Sequence, residues 1–165
     1  MDINPLDAQT QFTIQVLFKP EADGPGQQQF LHLDDENAGR VLMETRLGTD
    51  NRWYLHSFAS TSGGRAQLAT AGALHRADEW HWAALTYTNG TIRHYVDGQQ
   101  EASAELKFDP MKSGKMSIGS RLNQENWFKG CIRALRFANA ALPAHLLERD
   151  VSVTPSAQLR AQAGG

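Results

Sequence analysis

Six histidines are spread through this 165-residue chain, His32, His56, His75, His81, His94 and His145. Histidine is the side chain best suited to proton transfer or metal ligation near neutral pH. A nucleophilic triad would also need a serine on a strained Gly-x-Ser-x-Gly elbow, and the sequence has none. No two histidines stand at the i, i+4 helical spacing of a zinc site. His81 lies beside Trp82 in a strand, where a backbone carbonyl or a carboxylate is expected to satisfy it. Gly63-Gly64 is a turn of small residues rather than a phosphate cradle. Cys131 is the only cysteine, so no internal disulfide can form. Its alternating surroundings, Gly130-Cys131-Ile132-Arg133-Ala134-Leu135, predict a small apolar side chain packed in a strand.

Sugar recognition asks for different groups: an aromatic ring to lie on a pyranose and planar polar side chains to bond its hydroxyls. Trp53-Tyr54 and Asn126-Trp127 each set an indole beside a loop rich in Asn, Asp or Gln, and these four residues are the candidate ligand-binding set. A tryptophan at the first position of a strand has a second role open to it, as a lid on the core. Trp80 and Trp82 are the stronger core candidates, because one face of their strand must be buried.

The elements that position these residues read as strands. At the centre is WHWAALTYTNGTIRHYVDGQQ, residues 80–100, in which alternating segments are punctuated by Asn89-Gly90 and Asp97-Gly98. Both dipeptides tolerate the positive φ of a type I′ turn, so the stretch predicts two chained hairpins. Phe12, Ile14, Val16 and Phe18 alternate along a first strand that ends at Pro20. Further strands are expected over residues 29–33, 40–47, 52–59, 65–71, 102–108, 115–119 and 127–138, with residues 72–79 crossing to the central meander. Pro143 opens a short helical turn over residues 142–147. About ten or eleven short strands at this spacing predict an all-β fold, a sandwich or barrel with one C-terminal helical turn.

A chain of 165 residues makes one domain, able to bury roughly 70% of its unfolded surface without disulfide or metal. With 16 basic and 18 acidic residues the net charge is −2, which gives no electrostatic basis for nucleic-acid binding. No stretch reaches the ~20 apolar residues of a membrane-spanning helix, so no membrane insertion is expected. The first residues lack the basic and apolar regions of a secretion signal. The compartment stays open: extracellular or cell-surface for an excised domain, cytoplasmic for a complete gene product. Residues 151–165, rich in Ala, Gln, Ser and Gly, are expected to form a tail that is disordered or hugs the surface of a domain spanning residues 1–150.

Taken in order, several segments carry a resemblance. Phe12 to Pro20 is followed by Trp80-His81-Trp82-Ala83-Ala84-Leu85-Thr86-Tyr87, Tyr95-Val96-Asp97-Gly98, Met116-Ser117-Ile118-Gly119, and Phe128-Lys129-Gly130-Cys131-Ile132-Arg133 leading into Ala141-Leu142-Pro143. The series resembles the laminin-G-like and pentraxin-like branch of the concanavalin A-like lectin/glucanase superfamily over roughly residues 10–149. The resemblance implies an antiparallel β-sandwich of jelly-roll type. It also implies glycan binding, adhesion, calcium-dependent capture or, in one branch, glucan hydrolysis.

Glucan hydrolysis requires paired carboxyl groups, which the glucanase branch draws from a Glu-x-Asp-x-x-Glu strand. This chain has no such run: Glu44 is alone on its strand, Glu101 and Glu105 precede Lys107, and Asp109 abuts Pro110. The pentraxin-like calcium site has a counterpart in Asp35-Glu36-Asn37. A displaced second counterpart is Asn123-Gln124-Glu125, interrupted by Arg121. Calcium is thus the one cofactor to consider, with solvated turn acids as the other reading. The expected protein is a non-enzymatic recognition module for glycan or a protein ligand, part of a larger protein. Its alternatives are a glycan-active hydrolase or a structural domain whose edge strands pair into an oligomer.

Overall fold

The computed structural model of the chain describes residues 1–152. Asn89 and Gly90 take φ of 47° and 77°, and Asp97 and Gly98 take 50° and 78°, the positive pairs that a type I′ hairpin demands. They join β7 (His81–Thr88), β8 (Thr91–Val96) and β9 (Gln99–Glu105) into the expected meander. On the other side of β7 lies β1 (Phe12–Pro20), and beyond it β11 (Gly130–Ala138), all antiparallel. These five strands form the back sheet in the order β11-β1-β7-β8-β9.

The front sheet is built from β2 (Gln27–Asp34), β3 (Arg40–Leu47), β4 (Arg52–Thr61), β5 (Gly64–Ala69) and β10 (Lys115–Ile118), in the order β10-β2-β3-β4-β5. A two-residue strand, β6 (His75–Arg76), also pairs with β4. The described chain is therefore an all-β antiparallel sandwich of the jelly-roll kind. Its C-terminal helical turn is a single 3-10 turn, Ala144–Leu146. No helix among the described residues is long and apolar enough to cross a membrane.

Period-two alternation drives the two sheets together. Phe12, Ile14, Val16 and Phe18 of β1 meet Leu31, Leu33, Val41, Met43 and Leu55 of the front sheet in one continuous core. Phe18 stacks on Phe30 with ring centroids 4.5 Å apart. Each such side chain, fully buried, contributes roughly 1.5–3 kcal/mol. One polar contact crosses this interior: Ser57 Oγ of β4 lies 3.1 Å from His94 Nδ1 of β8, and both residues are buried.

The outer face of the back sheet departs from simple alternation. Thr13, Gln15 and Leu17 point away from the core yet are buried, and residues 139–150 run over Thr13 and Gln15. Gln15 Oε1 accepts from the Glu148 amide at 2.7 Å, and Thr13 Oγ1 accepts from the Leu142 amide at 2.9 Å. Leu147 packs on Ala84 and Tyr95 under this strap.

Trp82 belongs to the same covered face rather than to the sandwich interior. Its indole N–H donates to the Asp150 carbonyl at 3.0 Å, and Arg136 lies over its ring. Trp80 is half-buried between Lys19 and Arg133, each less than 6 Å from the ring centre. Cys131, expected to be packed, is exposed on β11, which is an edge strand of the back sheet. Several strand limits also move: β2 begins at Gln27, β11 only at Gly130, and β5 ends at Ala69. The tail expected over 151–165 lies, from residue 153 onward, outside the described residues.

Candidate functional site

The front sheet turns its outer face to solvent, and four neighbouring strands place side chains there in register. His32 of β2 is paired with Leu42 of β3, Leu42 with Phe58 of β4, and Phe58 with Gln67 of β5. The result is a row with an apolar centre and polar ends. The next two rows pair Glu44 with His56, and then Arg46 with Tyr54. The loop after β10 folds against β2 and sets Arg121, Leu122 and Asn123 on the rim. Together they enclose a groove of about 380 Å³, the size of a small-ligand site.

Glu44 forms the floor. Its side chain is 0% exposed and contacts Arg46 at 2.8 Å, His56 Nδ1 at 2.9 Å and Gln27 Nε2 at 3.0 Å. Burial pushes the Glu44 carboxyl up, but contacts from His56, Gln27 and Arg46 outweigh it and hold the group ionised down to about 2. On the rim, Arg40 donates through Nε and Nη2 to Asp34 Oδ2 at 3.1 and 3.0 Å. His32 Nδ1 accepts from the Leu122 amide at 3.3 Å, which places the ring hydrogen on Nε2. That Nε2 is buried without a hydrogen-bond partner; the Asp34 carboxylate is 3.8 Å away. Burial, and after it the charge of Arg40, hold His32 down at about 4, so the ring is neutral near pH 7. The Nε of Arg121 is likewise buried and unpartnered.

The expected ligand set divides. Trp53 is only 3% exposed and caps the core, tilted against Phe18 at 5.2 Å with its indole N–H on the Arg76 carbonyl. It is the lid, not the platform. Tyr54 sits on the groove side of β4, opposite Arg46. The backbone carbonyl of Asn126 accepts from the Gln29 amide at 2.9 Å. Trp127 is 60% exposed on the loop that rims the groove.

The residues considered for calcium have protein partners of their own. Asp35 is buried, and its carboxylate accepts the amides of Asn37, Gly39 and Lys112 at 2.9, 2.9 and 3.1 Å. It shapes the β2–β3 turn. Glu36 pairs with Lys115. Across the loop, Asn123 Nδ2 donates to Glu125 Oε2 at 2.9 Å, and Gln124 donates its amide to the Arg121 carbonyl. Asp35, Glu36 and Asn37 thus cluster at the β2–β3 turn, and Asn123, Gln124 and Glu125 on the loop after β10.

Among the described residues, His75, His81 and Asp97 are the group whose ligand atoms come within 4.8 Å of one another. Their hydrogen bonds account for the arrangement. His81 Nδ1 lies 2.8 Å from Asp97 Oδ2 and its Nε2 lies 3.1 Å from the Arg76 carbonyl, while His75 Nε2 is 2.6 Å from Glu101. Burial alone lowers the His81 value, but the Asp97 carboxylate and the Arg76 carbonyl raise it above the ordinary imidazole range. Both the carbonyl and the carboxylate expected to satisfy His81 are present.

Residues 2–146 match a laminin G family model described as the concanavalin A-like lectin/glucanases superfamily. The chain belongs to this superfamily.

Solved structures of the superfamily fold resemble this member at low identity. The heptameric SAP-like pentraxin from Limulus polyphemus superposes with a TM-score of 0.67 at 14% identity, over 83% of this chain and 67% of that one. The CBM40 module of Ruminococcus gnavus IT-sialidase, bound to α2,3-sialyllactose, gives 0.63 at 15% identity over 84% and 80%. Domains LG4-5 of the mouse laminin α1 chain give 0.60 at 14% identity over 87% of this chain and 43% of that one. At these identities the likeness is one of fold. No curated protein sequence matches the chain.

The groove was hidden from sequence reasoning because its residues are dispersed. His32, Glu44, His56 and Phe58, Gln67 and Arg121 come from β2, β3, β4, β5 and the loop after β10, and become neighbours only through strand register. One signal was available: Glu44 and His56 are charged or titratable residues within strands otherwise rich in apolar side chains.

Proposed function

We propose that this domain is a carbohydrate-recognition module that binds its ligand without transforming it, and that the ligand lies in the front-sheet groove. The observation that carries this reading is the row His32, Leu42, Phe58 and Gln67. An apolar strip suits the C–H face of a sugar ring, and planar polar groups at its ends suit the hydroxyls. The sialyllactose-bound CBM40 module among the structural neighbours supports the same reading.

The carboxylates of the groove suit binding better than hydrolysis. A general acid must hold its proton near the working pH. Glu44 is ionised down to about 2, and Asp34 is engaged by Arg40. Attachment to a glycan-bearing surface is the setting that fits such a module.

A glycan array probed with the protein and with Phe58→Ala, each with and without EDTA, tests the proposal. Binding of a defined saccharide set that weakens in the variant supports it. A blank array at high protein concentration, or turnover of the bound saccharide, overturns it. The EDTA arm reports whether any cation takes part.

A further inference from the structure

We infer that the groove selects saccharides carrying an anionic substituent, a carboxylate or a sulfate ester, and that Arg121 is the residue that pairs with it. The inference rests on the carbohydrate reading above and specifies the ligand class.

Three guanidinium groups line the groove against two carboxylates. Both carboxylates are already matched, Arg40 with Asp34 and Arg46 with Glu44. Arg121 is left without an acidic partner among the described residues, in a chain whose overall balance is −2. A half-buried guanidinium whose Nε is shut off from water and bonded to nothing is costly to hold. An anion in the groove would relieve that cost.

A second donor points the same way. His32 accepts the Leu122 amide through Nδ1, so its buried Nε2–H is a donor with no acceptor in hydrogen-bond range. Leu122 follows Arg121 directly, so the hydrogen bond that orients His32 also fixes the loop carrying the arginine. Two buried donors without hydrogen-bond partners, one of them cationic, belong to side chains that line the β2 side of the groove. The Asp34 carboxylate is 3.8 Å from His32 Nε2, and Leu42 and Phe58 lie alongside as an apolar surface. A neutral sugar hydroxyl fills such donors weakly. An anionic oxygen fills them with charge-assisted bonds about twice as strong, and a guanidinium can grip a carboxylate or sulfate through two parallel bonds.

Matched pairs of ligands decide the matter: a short oligogalacturonate against its methyl ester, and a sulfated galactose oligosaccharide against its unsulfated parent. Affinities are measured by calorimetry on the protein, on Arg121→Gln, Arg121→Met and Arg121→Lys, and on Arg93→Gln as a control on the opposite sheet. The acidic member of at least one pair should bind about tenfold tighter or more than its neutral partner, a difference of about 1.4 kcal/mol. That preference should vanish in Arg121→Gln and Arg121→Met, persist in part in Arg121→Lys, and be unchanged in Arg93→Gln. Which pair shows the preference tells carboxylate from sulfate. The methionine variant keeps the aliphatic stem packed, and thermal melting of each variant separates lost binding from lost folding. Equal or tighter binding of the neutral members overturns the anionic preference and leaves the carbohydrate reading standing. An acidic preference that survives in both neutral variants removes Arg121 from its role. Absence of binding to every saccharide tested, on these pairs and across the array, removes both.

Discussion

Glu44 Oε1 and His56 Nδ1 meet 2.9 Å apart across the β3–β4 pair, off the line of an aligned hydrogen bond, and both side chains are buried beneath the groove. With Arg46 and Gln27 they form a polar floor under a surface that is otherwise strand. A buried carboxylate is tolerated only where such partners surround it. The same contacts that stabilise Glu44 hold Arg46 at the edge of the groove.

Glu44→Gln should therefore destabilise the protein in a pH-dependent way. The folded value of about 2 lies below the ordinary 4.5, so the carboxylate adds stability above about pH 4.5 and loses it as pH falls toward about 2. The difference from the unsubstituted protein should be no more than about 3 kcal/mol at neutral pH. Urea melts of both proteins across the acid range should show the gap closing. A gap that stays constant with pH would mean that the charge is not what stabilises the floor.

His94 predicts a second acid transition at higher pH. Burial first, and then the nearby His56, hold it at about 4 against an ordinary 6.5. The fold thus prefers the neutral ring, and stability should fall as pH drops from about 6.5 to about 4, by at most about 3 kcal/mol from this residue. His32 shifts in the same direction and to the same value. His81 is raised and works in the opposite sense, its contribution being lost as pH rises through its folded value. Replacing the interior pair together, His94→Leu with Ser57→Ala, removes two polar groups at once and should leave neutral-pH stability nearly intact. Thermal melts should then show a shallower loss across the interval.

The two candidate tryptophans separate cleanly by experiment. Trp53→Ala empties a buried site between Phe18, His75 and His81 and should cost about 3–5 kcal/mol. Trp127→Ala removes an exposed ring and should change stability by no more than about 0.5 kcal/mol. Denaturant midpoints test both. If Trp53→Ala proved as mild as Trp127→Ala, its placement as a core lid would fail.

Asp35→Ala leaves the Asn37 and Gly39 amides of the β2–β3 turn and the Lys112 amide, one buried and two partly buried, without their acceptor and should cost about 1–3 kcal/mol. This loss should be the same with calcium and with EDTA, because the carboxylate is spent on amides. Melting temperatures recorded under both conditions provide the check. A rise on calcium addition in the unsubstituted protein, abolished in Asp35→Ala, would instead put a cation at this turn.

The strands and their turns were legible because their signals are local. Asn89-Gly90 and Asp97-Gly98 state their φ requirement in two letters, and Phe12, Ile14, Val16 and Phe18 state their buried face by parity. β6 was not legible: two residues, His75 and Arg76, carry no period, and only pairing with Arg52 and Trp53 makes them a strand. Trp82 misled for a related reason. Parity placed it opposite Ala83 and Leu85, but not under a segment more than 50 residues later in the chain, whose carbonyl at Asp150 holds its indole. The groove was harder still, since Leu42 and Phe58 look like ordinary strand residues until β3 and β4 are aligned.

The strap of residues 139–150 makes the two sides of the molecule unequal. The part of the back sheet's outer face around Thr13, Gln15, Ala84 and Tyr95 is covered by the chain itself, with Leu147 and the Asp150 carbonyl as its fasteners. The groove face of the front sheet stays open. Trimming the protein before Leu147 would bare Ala84, Tyr95 and Trp82 together, a new apolar patch that makes the molecule prone to self-association.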